Sequence, residues 1–418
     1  MKIKDLSALE ILDSRGNPTV RTILELEDGS KFVSSVPSGA STGSNEVLEL
    51  RDNDPRRYGG KGVLNAVNNV NTKIKPAIVG HEIDPKEIDK LLLSMDGTLD
   101  KSVLGANAIL SVSMCATRAA AHAAHFPLWQ YIRQYFFPSI NVLQEQVKFP
   151  QLMVNIVNGG KHASWNFDIQ EFMIVPNFPT PSENIRVASE IFHALGTYLS
   201  EKHLSTLVGD EGGYSPALNS NEDVLNAIIE AANTLGYERV KHYRFALDCA
   251  STEFFKDGKY VLQKTGQTLT APELTTYYAQ LGQKYSILSF EDAFSEDDWS
   301  SHKIFADMAA KFQFITIGDD LFTTNPERIK HGIEENAANG VLIKPNQIGT
   351  VSETVQAISL GKDAGWKIAV SHRSGETEDS FIADLAFACG ADFLKAGSMS
   401  RTDRLSKYNR LLEIEKGL

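Results

Sequence analysis

The chain has 418 residues, of which 42% are hydrophobic and 22% are charged, as in ordinary globular proteins, and it is long enough for one large domain and a smaller one. Its formal net charge of −12 argues against nucleic acid as the main partner, because an acidic surface repels a polyanion. Its three cysteines are widely spaced and odd in number, which excludes a disulfide framework and a zinc finger and favours a reducing compartment.

The amino terminus carries scattered charges instead of an apolar core, so we do not expect a secretory signal. The sequence also contains no run of about 18 uncharged apolar residues that could form a membrane span. We therefore expect a cytoplasmic protein. If its substrate is an anion, so acidic a protein must neutralise that charge locally, with bound cations or with Lys and Arg side chains.

The first elements predicted along the chain are a hairpin and a loop. Residues 19–36 contain two β-prone runs around Asp28 and Gly29, a strong signal for a two-residue turn. Residues 37–46, PSGASTGSNE, are rich in Gly, Ser and Thr, which predicts a flexible loop.

Helices follow the loop. Asp84 and Pro85 have the residue types of a helix N-cap and first helical position. An Ala-rich helix is predicted from about Asn107 to Ala124. We therefore predict a small α+β domain over residues 1–135, followed by a linker over residues 136–150.

From residue 151 onward, short apolar runs alternate with amphipathic helices, and each run ends in a polar or charged residue. Six such runs end at Asp248, Glu291, Asp319, Lys344, His372 and Lys395. Their spacings of 23 to 43 residues accommodate one strand and one helix each, which predicts an α/β barrel over residues 151–418. Active sites of such barrels lie at the carboxyl ends of the strands, so these six side chains should converge.

Three carboxylates, those of Asp248, Glu291 and Asp319, end successive strands. Without a His or Cys cluster they form a site of hard oxygen ligands, which suits magnesium. Any one of them alone would more often be a solvated acid at the start of a loop. Three in succession favour a metal site.

Lys344 and Lys395 end later strands of the same barrel. A lone lysine in such a place usually forms a salt bridge with a neighbouring carboxylate. Beside bound cations, however, the ammonium form is destabilised and the lysine pKa falls from about 10.4. Lys344 is therefore a candidate general base.

Three loops add candidate ligand-binding groups. Arg373 and Ser374, in SHRSG, could hold a phosphate group, although a capped turn with a surface arginine is as compatible with the sequence. Glu211, in VGDEGGYSP, and His162, in NGGKHA, lie beside glycines that let the backbone approach a ligand closely. A lone histidine in such a loop is usually structural, so the prediction that His162 binds a ligand rests on the other predicted site residues.

The sequence resembles the enolase family over essentially its full length. The resemblance rests on ordered stretches that include DSRGNPTV, VPSGASTG, LGANAI, DIQEFMI, VGDEGG, ALDCAS, EDAFSEDDW, DDLFTTNP, LIKPNQIGT, SHRSGETED and SRTDRLSKYN. One short motif could arise by chance, whereas this set in this order is highly specific. It implies an irregular eight-stranded α/β barrel, with an early antiparallel strand, joined to a smaller α+β amino-terminal domain.

The resemblance also implies an activity, the reversible dehydration of 2-phosphoglycerate to phosphoenolpyruvate in glycolysis and gluconeogenesis. Lys344 would abstract the proton at carbon 2, and Glu211 would be the general acid that helps the 3-hydroxyl leave. Arg373 and Ser374 would bind the phosphate group.

Two magnesium ions per active site are implied as cofactors. Asp248, Glu291 and Asp319 would bind the first ion, and Ser41, in the SGASTG loop, would help to bind the second as that loop closes. The remaining residues that the resemblance places along the substrate are His162, Gln170, Glu171, His372 and Lys395.

Two alternatives stay open at this stage. A different dehydratase or cycloisomerase of the same superfamily would act on unphosphorylated acids and would not need SHRSG and the SGASTG loop together. Some enolases also bind host proteins at cell surfaces, which would make this chain a secreted or surface-exposed binding protein. The family is usually dimeric and sometimes octameric, so we expect a homodimer, with an octamer as the alternative.

Overall fold

The computed structural model describes residues 1–39, 43–139, 148–160 and 165–418 of the chain. Two predicted site residues, Ser41 and His162, lie outside the described residues. Most of the predicted linker, residues 140–147, lies outside them as well.

The amino-terminal part begins with an antiparallel sheet of strands β1 (Ile3–Leu12), β2 (Pro18–Leu26) and β3 (Lys31–Ser35), in that order. The predicted hairpin is confirmed as β2 and β3, with Gly29 at a φ of 86° in the turn. Strand β1 was not predicted, because its apolar residues do not alternate strictly with polar ones.

Helices pack against this sheet. They are α1 (Leu64–Asn69), which continues through a π-helical turn (Val70–Ile74) into α2 (Lys75–Ile78), then α3 (Pro85–Asp96), α4 (Ala106–Ala123) and α5 (Leu128–Phe136). Asp84 caps α3 as predicted, since its carboxylate accepts the N–H groups of Lys86 and Glu87. The Ala-rich α4 is buried over almost its whole length between the sheet and its neighbouring helices, where small side chains allow close packing.

The remaining strands form the barrel and a small three-stranded sheet. They are β4 (Gln151–Asn158), β5 (Glu171–Pro176), β6 (Tyr243–Asp248), β7 (Phe255–Lys256), β8 (Lys259–Leu262), β9 (Gln267–Leu269), β10 (Ile287–Glu291), β11 (Ile315–Gly318), β12 (Gly340–Ile343), β13 (Lys367–Ser371) and β14 (Phe393–Lys395). Within the described residues, eight of them close a barrel in the order β4-β5-β6-β10-β11-β12-β13-β14.

The barrel confirms the predicted fold. Strand β5 runs antiparallel to both β4 and β6, and the other neighbours are parallel, as the family resemblance implied. The six predicted runs are its last six strands. Strands β4 and β5 were not recognised because no helix separates them, so the strand-and-helix repeat is absent there.

The helices of the barrel follow its strands. They are α6 (Pro181–Glu201), α7 (Asn221–Thr234), α8 (Ala271–Tyr285), α9 (Trp299–Phe312), α10 (Pro326–Glu335), α11 (Pro345–Ile348), α12 (Val351–Asp363), α13 (Phe381–Cys389) and α14 (Thr402–Glu415). Asn325 caps α10, and Gly390 ends α13 at a φ of 60°. Among the described residues, no helix combines the length and the apolar character needed to cross a bilayer.

Strand alternation brings polar side chains to one end of the barrel interior. An apolar cluster inside the barrel contains Met153, Met173, Ala246, Ile317, Leu342, Ala369 and Phe393. Two positions further toward the same end of each strand lie Asn155, Glu171, Asp248, Asp319, Lys344, Ser371 and Lys395. Because side chains two apart on a strand share a face, these groups lie above an apolar floor.

A buried carboxylate joins the two parts of the chain. Asp89, on α3, accepts hydrogen bonds from the backbone N–H of Ser352 at 2.9 Å and from its hydroxyl at 2.6 Å. Burial raises the pKa of Asp89 to about 6, against the opposing effect of these hydrogen bonds. Ionisation of Asp89 therefore costs the folded state free energy.

The substitution Asp89→Asn tests this contact through pH. The pKa of Asp89 is higher in the folded chain than in the unfolded one. The stability that its protonated form contributes is therefore fully present below about pH 4 and is lost as the pH rises through about 6. By pH 7.5 that loss amounts to about 3 kcal/mol. We expect urea unfolding to show Asp89→Asn gaining stability over the native chain at pH 7.5, but little at pH 4.

Asp363→Asn, an exposed carboxylate at the end of α12, is the control and should show no such difference. Equal effects of Asp89→Asn at both pH values would contradict the assignment.

Candidate active site

The carboxyl ends of the barrel strands surround one cleft. Its lining among the described residues consists of Gln170, Glu171, Glu211, Asp248, Ala250, Glu253, Asp292, Asp319, Asp320, Lys344, Ser371, His372, Arg373, Ser374 and Lys395. Every described residue of the predicted site is in this lining except Glu291, which contacts it through Lys395. Seven of the lining side chains carry carboxyl groups and three are cationic, so acidic groups outnumber cations in the cleft.

Lys395 is the charge that holds three of these carboxylates together. Its ammonium lies 3.1 Å from Glu171, 3.0 Å from Asp248 and 2.9 Å from Glu291. Burial opposes the charged form, but Asp248, Glu171 and Glu291 outweigh it and raise the pKa of Lys395 well above its usual value. Lys395 is therefore a permanent positive charge in the cleft.

Lys344 follows β12 in an extended conformation, with φ −126° and ψ 104°, as expected before Pro345. Its backbone N–H donates to Thr324, and its ammonium donates to Asp319. Burial opposes the charged form, but Asp319 outweighs it and raises the pKa of Lys344. The charge of Asp319 thus determines this direction, and the lowered pKa predicted beside bound cations stays a prediction.

Three carboxylates form the tightest acidic group among the described residues. One oxygen from each of Asp292, Asp319 and Asp320 lies within 4.8 Å of the others. Both oxygens of Asp292 accept backbone N–H groups, from Asp319 at 2.9 Å and from Asp320 at 2.8 Å, so Asp292 shapes the turn that orients its neighbours. Burial and Asp319 raise the pKa of Asp320 to about 8.

This group only partly overlaps the predicted metal ligands. Asp319 belongs to it, whereas Asp248 and Glu291 meet at Lys395. Sequence reasoning missed Asp292 and Asp320, although each directly follows a predicted ligand in the paired acids ED and DD.

The donor set fits a hard divalent cation. Within the described part of the chain, three buried oxygens at the cleft accept no hydrogen bond, namely Oε2 of Glu171, Oε1 of Gln170 and Oδ1 of Asn155. Oxygen atoms without donors, beside carboxylates in excess of cations, are the environment that magnesium prefers.

Glu211 enters the cleft from the loop between α6 and α7. Its Oε2 accepts the amide of Asn155 at 3.0 Å and lies 3.7 Å from Nε2 of His372. The loop requires glycine at Gly212, which has a φ of 87° and where a Cβ would lie 2.6 Å from the hydroxyl of Ser400. Asn155 was not predicted, because it lies within a strand that the sequence did not reveal.

Arg404, on α14, forms hydrogen bonds with two loops of the cleft and holds them together. Its fully buried guanidinium donates to Nδ1 of His372 at 2.6 Å, to the carbonyl of Ser374 at 2.6 Å and to the carbonyl of Asp210 at 3.2 Å. Burial, with Arg404 nearby, lowers the pKa of His372 well below its usual value, so the ring is neutral. Because Nδ1 accepts, Nε2 carries the proton and faces Glu211.

Arg373 is held by a carboxylate from the predicted flexible loop. Its two terminal nitrogens donate to the two oxygens of Glu46 at 2.9 and 3.0 Å, and both side chains are buried. Glu46 also accepts the N–H of Gly43 at 3.1 Å. A carboxylate therefore occupies the guanidinium edge on which a phosphate was expected. Neither Glu46 nor Arg404 was predicted, since each acts through a contact distant in sequence.

The substitution Arg404→Gln should strongly destabilise the protein. It would leave an imidazole nitrogen and several buried carbonyl oxygens without a donor, and we expect a loss of about 3 kcal/mol or more in the free energy of unfolding, measured in urea. Arg186→Gln, at an exposed arginine on α6, is the control and should change stability little. Similar losses in the two variants would contradict a fastening role for Arg404.

Comparison with protein family models identifies the family to which the chain belongs. Residues 3–132 match the family model described as "Enolase, N-terminal domain", and residues 146–418 match the one described as "Enolase, C-terminal TIM barrel domain". Both matches are consistent with a lyase of the enolase superfamily that binds a small-molecule substrate, and the family typically uses Mg²⁺. Two matches that cover nearly the whole chain, together with a closed barrel whose polar end holds the expected residues, show that the chain belongs to the enolase family.

Proposed function

We propose that this protein catalyses the reversible, Mg²⁺-dependent dehydration of 2-phosphoglycerate to phosphoenolpyruvate. The observation that carries the proposal is that Lys344 and Glu211 line one buried cleft although they come from different parts of the barrel. An amine and a carboxyl group in one cleft provide a base and an acid for a single substrate. The proposal includes a role in glycolysis, a cytoplasmic homodimer, and domains at residues 1–135 and 151–418.

The proposed reaction needs two proton transfers. The neutral amine of Lys344 accepts the proton from carbon 2, and the electron pair of that C–H bond becomes the new carbon–carbon double bond. The protonated carboxyl of Glu211 gives its proton to the 3-hydroxyl, which leaves as water. The amide of Asn155 donates to Glu211 at 3.0 Å and orients it, and the neutral His372, 3.7 Å away, adds no charge beside it.

The growing negative charge on the substrate carboxylate must be balanced. Lys395 supplies one fixed positive charge in the cleft. Asp248, Glu291 and Asp319 would hold the first magnesium, and Ser41 would contribute to the second; when bound, these ions stabilise the charge on the substrate carboxylate. Asp319 would then be a weaker partner for Lys344, whose pKa would fall toward that of a base.

A phosphorylated substrate accounts for Arg373 and Ser374. Both line the cleft, and a buried guanidinium with two parallel N–H donors matches a phosphate group. An unphosphorylated acid could be bound through its carboxylate by Lys395, whereas a phosphorylated acid needs a second cation such as Arg373. Glu46 pairs with the guanidinium of Arg373, and an incoming phosphate group would displace it.

The variants Lys344→Ala and Glu211→Gln separate the two proton transfers. With 2-phosphoglycerate and Mg²⁺, we expect both to lower kcat by roughly 10²–10⁴-fold, followed by the absorbance of phosphoenolpyruvate. In deuterated water, Glu211→Gln should still exchange the proton at carbon 2, because its base is intact, whereas Lys344→Ala should not.

Lys303→Ala, at an exposed lysine on α9, is the control and should keep native turnover. A folded native protein without Mg²⁺-dependent turnover would refute the proposed reaction, and activity in Lys344→Ala would refute the base.

The substitution Glu46→Gln tests the competition for Arg373. A neutral amide competes less with an incoming phosphate, so we expect inorganic phosphate to bind roughly tenfold more tightly, a gain of about 1.4 kcal/mol measured by calorimetry. Glu87→Gln, at an exposed position on α3, should leave the affinity unchanged. Weaker phosphate binding in Glu46→Gln would instead show that Glu46 mainly holds Arg373 in place.

A further inference from the structure

The end of the barrel opposite the active site contains a second, larger cavity of about 590 Å³. Its lining among the described residues consists of Gln151, Val175, Asn177, Val240, Arg244, Gly282, Gln283, Ser286, Ile287, Leu288, Phe312 and Phe314. These residues lie at the amino ends of β4, β6 and β10 and beyond the carboxyl end of the antiparallel β5. A cavity of this volume is large enough for a metabolite.

Arg244 lines this cavity and has no hydrogen-bond or ion-pair partner among the described residues. It shares the inner face of β6 with Ala246 and Asp248, two and four residues further along, so it points into the barrel. Its Nε atom is buried and donates to no described residue, and no ion pair joins its guanidinium to any described carboxylate. Arg244 is half-buried, and the cavity beside it has room for an anion.

Two neighbouring lysines at this end of the barrel form ion pairs, whereas Arg239 donates to the carbonyl of Lys284. Lys284 contacts Glu222, and Lys367 contacts Asp392 at 2.7 Å. Burial lowers the pKa of Arg244, which reflects the missing counter-charge. None of the described lining residues is acidic, and the amides of Gln151, Asn177 and Gln283 add potential hydrogen-bond donors.

The other side of the cavity is apolar. The rings of Phe312 and Phe314 stack with centroids 5.8 Å apart, and Phe312 is 43% exposed. Val240, at the rim, is 54% exposed and adopts a φ of 74°, an unfavourable conformation for a β-branched residue. A cation on one side and exposed aromatic and aliphatic surface on the other match a ligand with an anionic head and an apolar body.

We propose that this cavity binds a small amphipathic carboxylate, with its carboxylate on Arg244 and its apolar or aromatic body against Phe312 and Phe314. A guanidinium pairs with a carboxylate through two parallel hydrogen bonds and cancels its single charge. A phosphate dianion would leave one charge uncompensated in a half-buried place. The site is separate from the active-site cleft, so the proposal does not depend on the reaction proposed above.

The test is calorimetric titration of the full chain with 3-phenylpropionate. We expect binding to the native protein, at least tenfold weaker binding to Arg244→Gln, and no binding of the uncharged 3-phenylpropionamide. Arg373→Gln is the matched control, because it removes the buried arginine of the active site and should keep the affinity. Inorganic phosphate should not compete with 3-phenylpropionate in the Arg373→Gln variant.

A second pair of variants distinguishes the loss of ligand contacts from a folding defect. Gln283→Trp should fill the cavity from the exposed surface of α8 and also weaken binding at least tenfold. Arg244→Met, without ligand, should raise the thermal midpoint of unfolding, because it removes a half-buried cation that pairs with no described carboxylate.

Several results would overturn the proposal. These are no binding to the native chain, equal affinity in Arg244→Gln, loss of binding in Arg373→Gln but not in Arg244→Gln, or competition by phosphate in the Arg373→Gln variant. A lower thermal midpoint in Arg244→Met would show that Arg244 stabilises the fold and would also overturn it.

Discussion

The contact on which the rest of the active-site cleft depends is that of the buried Lys395 ammonium with Glu171, Asp248 and Glu291. Three carboxylates from three strands could not be buried this close together without a cation, because their mutual repulsion would add to the cost of burial. One lysine balances only part of their charge, and burial together with Asp248 raises the pKa of Glu291 well above its usual value. The fold thus leaves a negative surplus that a divalent cation can relieve.

Other buried contacts place the groups around this centre. Asp292 orients Asp319 and Asp320 through their backbone N–H groups, and Arg404 fixes the tautomer of His372 from a helix near the end of the chain. Each of these charged groups forms hydrogen bonds within the protein, and hydrogen bonds to charged groups are strong and directional. The cleft is therefore rigid on the barrel side. On its other side, Glu46 holds Arg373 from a loop of the amino-terminal domain.

Much of this could be predicted from the sequence, since strand ends are visible as the points where apolar runs meet polar residues. Asp248, Asp319, Lys344 and Lys395 were predicted to converge in this way, and they do. Residues such as Arg404 could not be found, because their partners are loop carbonyls whose position depends on tertiary packing. The contact of Lys344 with Asp319 could not be predicted for a related reason: it depends on the direction in which Asp319 points.

The two ends of the barrel differ in how a cationic side chain is balanced, and strand β6 contacts a cation at one end and carries one at the other. On β6, the apolar Ala246 separates Asp248, which is paired with Lys395, from Arg244, which has no partner among the described residues. A chain with a net charge of −12 has carboxylates in plenty, yet none of those described reaches this arginine. An external anion is the simplest counter-charge that satisfies it.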